Sequence, residues 1–383
     1  MSDIGFNDNL EVSGRKFHFQ TATMSGKGKI RCEIFESGRV LSSTEIDYDR
    51  RKGERVEAVE ERLRQVVESL HGEMISEVEL LFRISEKVAR LKHSPSNVKV
   101  GIMFLQNNMI DDAIKQFKKA IEFDKNYTPA YNNLGLTYLQ IGQYKDAIMT
   151  YEDIINSNGH YTDTFNNYGL ALLMDNRITD AEEQFKHALR LNRDYLEAHY
   201  NMALLYLKST IDSSEQLRTP PRSVRIQRAF EHLGKIREYK IKVFDVIYTK
   251  LKKNLNNNKI KESIQILEEN RSKVFPSNIS NLISTNFYLK FMYGGKGLDG
   301  ETIKRFEHRL NIALEDTPDY ADIWNNLGVI HLIQCRNLFL QALTEFNRAL
   351  ELNPDFEKAI KNKKLVENDG KEFLILLRAI LKG

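Results

Sequence analysis

The chain has 383 residues, 41% of them hydrophobic and 28% charged, and a formal net charge of +3. That balance is ordinary for a folded chain, and so small an excess of positive charge argues against nucleic acid as a partner, because recognition of phosphate needs a concentrated basic face. No run approaches the roughly 18 consecutive apolar residues of a membrane span. The N-terminal residues MSDIGFNDNL are too polar for a secretory signal. The expectation is a cytoplasmic protein with no membrane insertion. Cys32 and Cys335 are far apart and lack metal-ligand spacing, so they read as reduced thiols.

Residues 1–52 form a small β-rich module. Short β-prone runs cover Leu10–Val12, Lys16–Thr23, Lys29–Phe35 and Arg39–Tyr48, separated by Ser13-Gly14, the stretch from Ser25 to Gly28, and Ser37-Gly38. Alternation places Phe17, Phe19 and Thr21 on one face of a strand, and Ile30, Cys32 and Ile34 on one face of the next. An antiparallel meander of this size has little core and must pack on something.

Residues 53–93 are helical in pattern. Val56, Val59, Leu63, Val66, Val67 and Leu70 recur at three- and four-residue steps, and Met74, Val78, Leu81, Ile84, Val88 and Leu91 continue them after His71-Gly72. This is one long helix, or a hairpin broken at Gly72. Its stripe packs on the sheet and caps the helices C-terminal to it; the alternative is a dimerising coiled coil, for which the heptad spacing is irregular.

From residue 94 the sequence repeats. Residues 128–161 and 162–195 superpose without a gap: Tyr131 falls on Phe165, Leu134 on Tyr168, Gly135 on Gly169, Ala147 on Ala181, Tyr151 on Phe185 and Ile154 on Ala188, each at an offset of 34. Trp324, Leu327, Gly328, Phe346, Ala349 and Pro354 repeat the same pattern further on. Small residues at the crossing of two helices let their backbones approach, and aromatics fill the space between neighbouring pairs. A single pair cannot bury its apolar face, so pairs must stack. These residues and their period resemble the tetratricopeptide repeat family. The resemblance implies a mostly α fold, a superhelix of about seven helical hairpins behind the β-meander and connecting helix.

The frame extends in both directions. Gly101, Ala113, Phe117 and Ala120 define a first repeat at 94–127. The fourth, 196–243, has Ala203 at the Gly position and a loop-like insertion, STIDSSEQLRTPPRSV, before Ala229. A fifth fits at 244–277, a sixth at 278–320 with the glycine-rich run 294–300 between its helices, and a seventh at 321–356 with a two-residue expansion between Cys335 and Phe339. Residues 357–383 read as a C-terminal capping helix with a dense apolar face, the alternative being a docking site for a partner or a second copy.

Catalytic signatures are scarce. The run 294–300 lacks the spacing and the strand-to-helix setting of a phosphate-binding loop. There is no His-Glu-x-x-His, no cysteine pair and no Gly-x-Ser-x-Gly, and His187, His199 and His331 sit singly on repeat helices. The chain is expected to be no enzyme, with no cofactor and no metal.

The resemblance implies instead a protein or peptide partner held in a concave groove lined by the first helix of each pair. In that family an Asn at the sixth repeat position often hydrogen-bonds the backbone of a bound peptide. Carried over by register, this position is Asn133, Asn167, Asn201 and Asn326, preceded by Asn132, Asn166, Tyr200 and Asn325. A side-chain amide suits the task because it both donates and accepts. Leu136 and Leu170 lie one turn on as apolar pocket walls, and Asp163 and Glu197 begin their helices and favour a basic or neutral ligand. The basic clamp with which one subfamily holds acidic C-termini is missing: Val98, Ile102, Asp163 and Asn167 stand in its place. The expected function is a protein-interaction scaffold or adaptor. The β-module loosely resembles strand modules of bacterial proteins, some of motility or cell-surface machinery, which implies a bacterial source. The alternative is a homodimerising regulatory or assembly factor that uses residues 53–92 or the C-terminal helix.

Overall fold

The computed structural model describes residues 3–24, 26–48, 56–157, 161–211, 220–275, 289, 303–304, 307–308, 310–311, 314 and 321–382. Most of the proposed sixth repeat, its glycine-rich run and the core of the fourth-repeat insertion lie outside these residues. The contacts divide the chain into two compact units. One is Met1–Arg31 with Ile46–Lys87 and Asn278–Gly383; the other is Cys32–Glu45 with Val88–Ser277.

The chain opens on strands β1 (Gly5–Val12), β2 (Arg15–Met24), β3 (Lys29–Glu36) and β4 (Arg39–Asp47), in that order across one sheet. The β1–β2 turn has Ser13 and Gly14 both at positive φ, and the β3–β4 turn has Ser37 and Gly38 likewise. Two successive residues of that kind match the twist of a tight hairpin. β1 is longer than the three residues its composition predicts, because it pairs in register from Gly5↔Ala22 to Val12↔Arg15 and cross-strand bonding recruits Gly5–Asn9. Phe17, Phe19, Thr21, Ile30, Cys32 and Ile34 are all buried, as the alternation requires.

Helix α1 (Val56–Ala89) is continuous through Gly72. Its buried stripe includes Val59, Leu63, Val67, Val78, Leu81 and Ile84. Phe82 lies 5.6 Å from Phe17 of the sheet, and Val59 and Leu63 pack with Ile4. His71, next to the glycine, is buried and bonded to Thr21 Oγ1 at 3.0 Å and to Asp8 Oδ2 at 3.1 Å. An interior Gly costs a helix about 1 kcal/mol, too little to break one whose two halves are both seated.

The second unit is a stack of hairpins. First helices α2 (Ser94–Gln106), α4 (Thr128–Gln140), α6 (Thr162–Met174) and α8 (Leu196–Ser209) begin 34 residues apart; second helices are α3 (Ile110–Phe123), α5 (Tyr144–Asn156), α7 (Ile178–Leu191) and α9 (Arg222–Glu238). The turns within the first three pairs hold Asn108, Gly142 and Asn176 at positive φ, again at the repeat spacing. Only Gly and, less readily, Asn take that conformation at low cost. Pro95 and Pro129 occupy first turns, where a missing N–H costs nothing. A Cβ on Gly101 would stand 2.4 Å from the Phe117 ring, one on Gly135 2.4 Å from Tyr151, and one on Gly169 2.7 Å from Phe185. Those rings are fully buried and have nowhere to retreat.

Two later elements depart from the expected frame. The fifth pair, α10 (Lys242–Asn256) and α11 (Ile260–Val274), docks with α10 on α9 and α11 on α8. In the regular stack one first helix lies beside the next, as α4 lies beside α6; here the second helix, α11, flanks α8. In the first unit, α12 (Ala321–Leu352) is one unbroken helix where a two-helix seventh repeat is expected. Register puts Cys335 where Gly142 turns the second repeat, yet the helix runs on through Cys335 and Asn337. Gly328 accordingly meets nothing within 4 Å of an added Cβ. α13 (Glu357–Lys382) packs on α12, with Phe373 stacked on Phe339 at 5.8 Å. Ile330 and Ile333 of α12 share a buried cluster with Ile303, Leu310 and Leu327.

These contacts predict opposite outcomes for one chemical change. Gly135→Ala should destabilise the chain by about 1–3 kcal/mol through overpacking against Tyr151, read as a lower midpoint in urea or on heating. Gly328→Ala should raise it slightly, because helix propensity is then the sole term.

Candidate partner-binding groove

Helices α2, α4, α6 and α8 lie side by side in sequence order and form one continuous face. Across this face the repeats are joined by a step of 31 residues. Asn132 Nδ2 donates to Asp163 Oδ2 at 2.8 Å, and Asn166 Nδ2 lies 3.5 Å from Glu197 Oε2. An Asn at the fifth position of one repeat thus holds the carboxylate at the second position of the next. Thr164 Oγ1 adds a 3.3 Å bond to Asn132 Oδ1, and Asn201 Nδ2 donates to Asn166 Oδ1 at 2.8 Å. Asn132, Asn166 and Asn201 are buried, where an amide left without partners would cost about 1–3 kcal/mol.

The sixth-position asparagines fall into three environments. Asn133 is half-buried and donates to Pro129 O, one turn back in its own helix, at 2.7 Å. Asn167 is buried and accepts from Asn166 Nδ2 at 3.2 Å. Asn201 is fully buried, and its Oδ1 accepts from Arg271 of α11. Asn325 is exposed on α12, while the side chain of Asn326 lies outside the described atoms. The leucines grade the same way: Leu136 is 43% exposed, whereas Leu170 and Leu204 are buried. The face is therefore open at α4 and closed at α8.

What closes it is α11. The Tyr200 hydroxyl, at the fifth position where α4 and α6 carry Asn, donates to the carbonyl oxygen of Leu267. Its ring has Phe275 edge-on at 5.4 Å and Phe244 at 6.5 Å. Arg271 reaches Asn201 and lies 3.6 Å from Glu197 Oε2, and Lys208 pairs with Glu268 at 2.7 Å. Burial pushes the Glu197 carboxyl above its ordinary range, with Asp163 adding to the shift and Arg271 opposing it. Burial likewise raises the Tyr200 phenol, against Arg271. Sequence reasoning assigned Tyr200, Asn201 and Glu197 to this face but missed Arg271 and Leu267. The one signal available was Tyr in place of Asn at position 200.

Behind α8 sits a histidine pair. His199 Nε2 bonds Arg193 O at 2.9 Å, and since a carbonyl only accepts, that nitrogen carries the proton. His199 Nδ1 and His232 Nδ1 are 2.8 Å apart, so in the neutral pair His232 donates and His199 accepts. Protonating His232 moves a hydrogen to its far nitrogen and places a charge in the packing. Burial lowers its pKa to about 4, with His199 and Arg228 contributing and Glu182 opposing.

Residues 101–142 match the TPR repeat family, and residues 128–161 match the Tetratricopeptide repeat family. The chain carries tetratricopeptide repeats. Such repeats build protein–protein interaction scaffolds. Among solved structures, a crystal structure of MamA is 21% identical and covers 45% of this chain and 96% of its own, at a TM-score of 0.34. MamA from residue 41 onward, from Desulfovibrio magneticus RS-1, is 18% identical over 47% and 94%, at 0.35. YrrB, described as a TPR protein with an unusual peptide-binding site, is 15% identical over 55% and 98%, at 0.35. No curated protein matches the chain. Among the described residues, no helix of this tetratricopeptide-repeat chain is long and apolar enough to cross a membrane, and no three metal-ligating side chains converge.

The histidine pair yields a pH test. An unfolded imidazole titrates near 6.5. Between there and about 4 the unfolded chain binds a proton that His232 in the folded chain refuses. Stability is whole above that window and falls as pH falls through it. The urea midpoint should drop between pH 7 and pH 5, and His232→Gln should flatten that drop; parallel profiles for the two proteins would remove His232 as its source.

Proposed function

We propose that this protein is a scaffold that holds a segment of another protein against the face of α4 and α6, with Asn133 as polar anchor and Leu136 as apolar wall. The observation that carries this reading is Leu136, 43% exposed beside the half-buried Asn133, where the equivalent Leu170 and Leu204 are buried. An exposed Leu next to an amide is what a recognition surface needs: an apolar contact together with a group that matches a peptide unit. Asp163, exposed where α6 begins, inclines this surface to a neutral or basic segment. In this reading Asn132, Asn166 and Asn201 hold the face together, and Asn133 carries the direct contact.

The test is recovery of a partner from the native source on immobilised protein. Asn133→Ala with Leu136→Ser should abolish recovery and leave the melting temperature within a few degrees. Met149→Ser, which alters an exposed apolar residue on α5, should leave it unchanged. Undiminished recovery by the double variant removes the groove from this reading.

Self-association is the second reading, and the C-terminal helices favour it over α1. The apolar stripe of α1 is spent on the sheet, whereas Leu338 and Leu352 of α12 are 65% and 85% exposed. Light scattering decides: a dimer that becomes a monomer on Leu338→Ser with Leu352→Ser supports this reading, and a monomer throughout eliminates it.

A further inference from the structure

We propose that α11 is a built-in occupant of the groove, anchored on α8 by Arg271, and that the partner able to displace it is an amphipathic helix that presents an arginine to Asn201 and Glu197. This rests on the reading of the first-helix face as the binding face and adds to it the kind of partner and a means of control.

Three observations carry it. The first is the graded closure of the face. Leu136 on α4 is open, while Tyr200 and Asn201 on α8 are buried and bonded to a helix that begins more than fifty residues later in the chain. The second is the chemistry of the attachment. α11 is held to α8 by directed polar contacts: the Tyr200 hydroxyl on Leu267 O, the Arg271 guanidinium on Asn201 and Glu197, and Lys208 on Glu268. Leu267 and Arg271 are four residues apart and so share one face of α11. A helix with an apolar residue and an arginine at that spacing can reproduce the set. The third is the charge balance. Glu197 faces one guanidinium, at 3.6 Å and while partly buried. Asp163 is bonded to the Asn132 amide and the Thr164 N–H, and no described cation pairs with it. The face thus holds more carboxylate than α11 neutralises, and an incoming cationic helix gains what α11 leaves unmatched.

The hairpin of α10 and α11 joins α9 through a single turn, Tyr239–Lys240–Ile241, with Lys240 at φ 53. Rotation there frees α11 without unfolding the first four pairs. Apparent affinity for a competitor is its intrinsic affinity scaled by the fraction of open groove, so anything that loosens Arg271 must tighten binding of a helix from outside.

The experiment uses the full chain and, as probe, a fluorescein-labelled peptide with the sequence of residues 260–275, followed by anisotropy. The chain carrying Arg271→Ala should bind this peptide roughly tenfold or more tighter than the unaltered chain. The same peptide with its own arginine replaced by alanine should lose that gain. Equal affinity of the two chains, or equal binding of the two peptides, overturns the proposal. Hydrogen exchange on the unaltered chain is independent of whether the variant folds. The amides of α11 should exchange through a local opening, roughly tenfold or more faster than those of α8; protection of α11 equal to that of α8 overturns the proposal as well. Neither result touches Asn133 and Leu136, so failure here and failure of the α4–α6 groove are separately visible.

Discussion

The stack rests on a missing side chain. Gly101, Gly135 and Gly169 each face a buried aromatic ring from the second helix of their own pair, closer than any Cβ allows. That approach sets the distance between the two helices of a hairpin, and a left-handed Asn or Gly sets the length of the turn between them. Together they make each hairpin nearly identical, so the next one begins 34 residues on in the same orientation. The Asn132–Asp163 and Asn166–Glu197 bonds recur at one spacing because the scaffold beneath them does.

The repetition stops where that turn is not made. In α12 the Gly328 position is kept, but the chain continues through the expected turn as one helix. α13 folds back on this helix, and Leu338 nonetheless remains exposed. A crossing glycine is therefore insufficient without its turn, and Ala203 serves at the same position in the packed pair of α8 and α9.

At α8 a single polar substitution changes what the face can hold. Asparagine at the fifth position links one repeat to the carboxylate of the next. Tyr200 has no carboxylate to hold; its ring lies among Phe244 and Phe275 and its hydroxyl bonds a carbonyl of α11. The fifth pair docks there with its second helix against α8, and Arg271 completes the bonding of Asn201 and Glu197. Burying this many amides and carboxylates is tolerable because each finds a partner, and those partners make α11 part of the face.

The sequence by itself determined the period, the starts of the first helices at 94, 128, 162 and 196, the buried faces of β2 and β3 and the small residues at the helix crossings. All of these derive from local spacing: side-chain direction repeats every two residues in a strand and every 3.6 in a helix, and a hairpin of constant length returns in register. The tertiary structure alone decided which asparagines face outward. Asn133, Asn167 and Asn201 are equivalent in register, yet they run from half-buried to fully buried, because exposure depends on what is stacked above them. For Asn201 that is an arginine 70 residues away in the chain, brought there by the docking of α11, a contact between distant segments that no local period records.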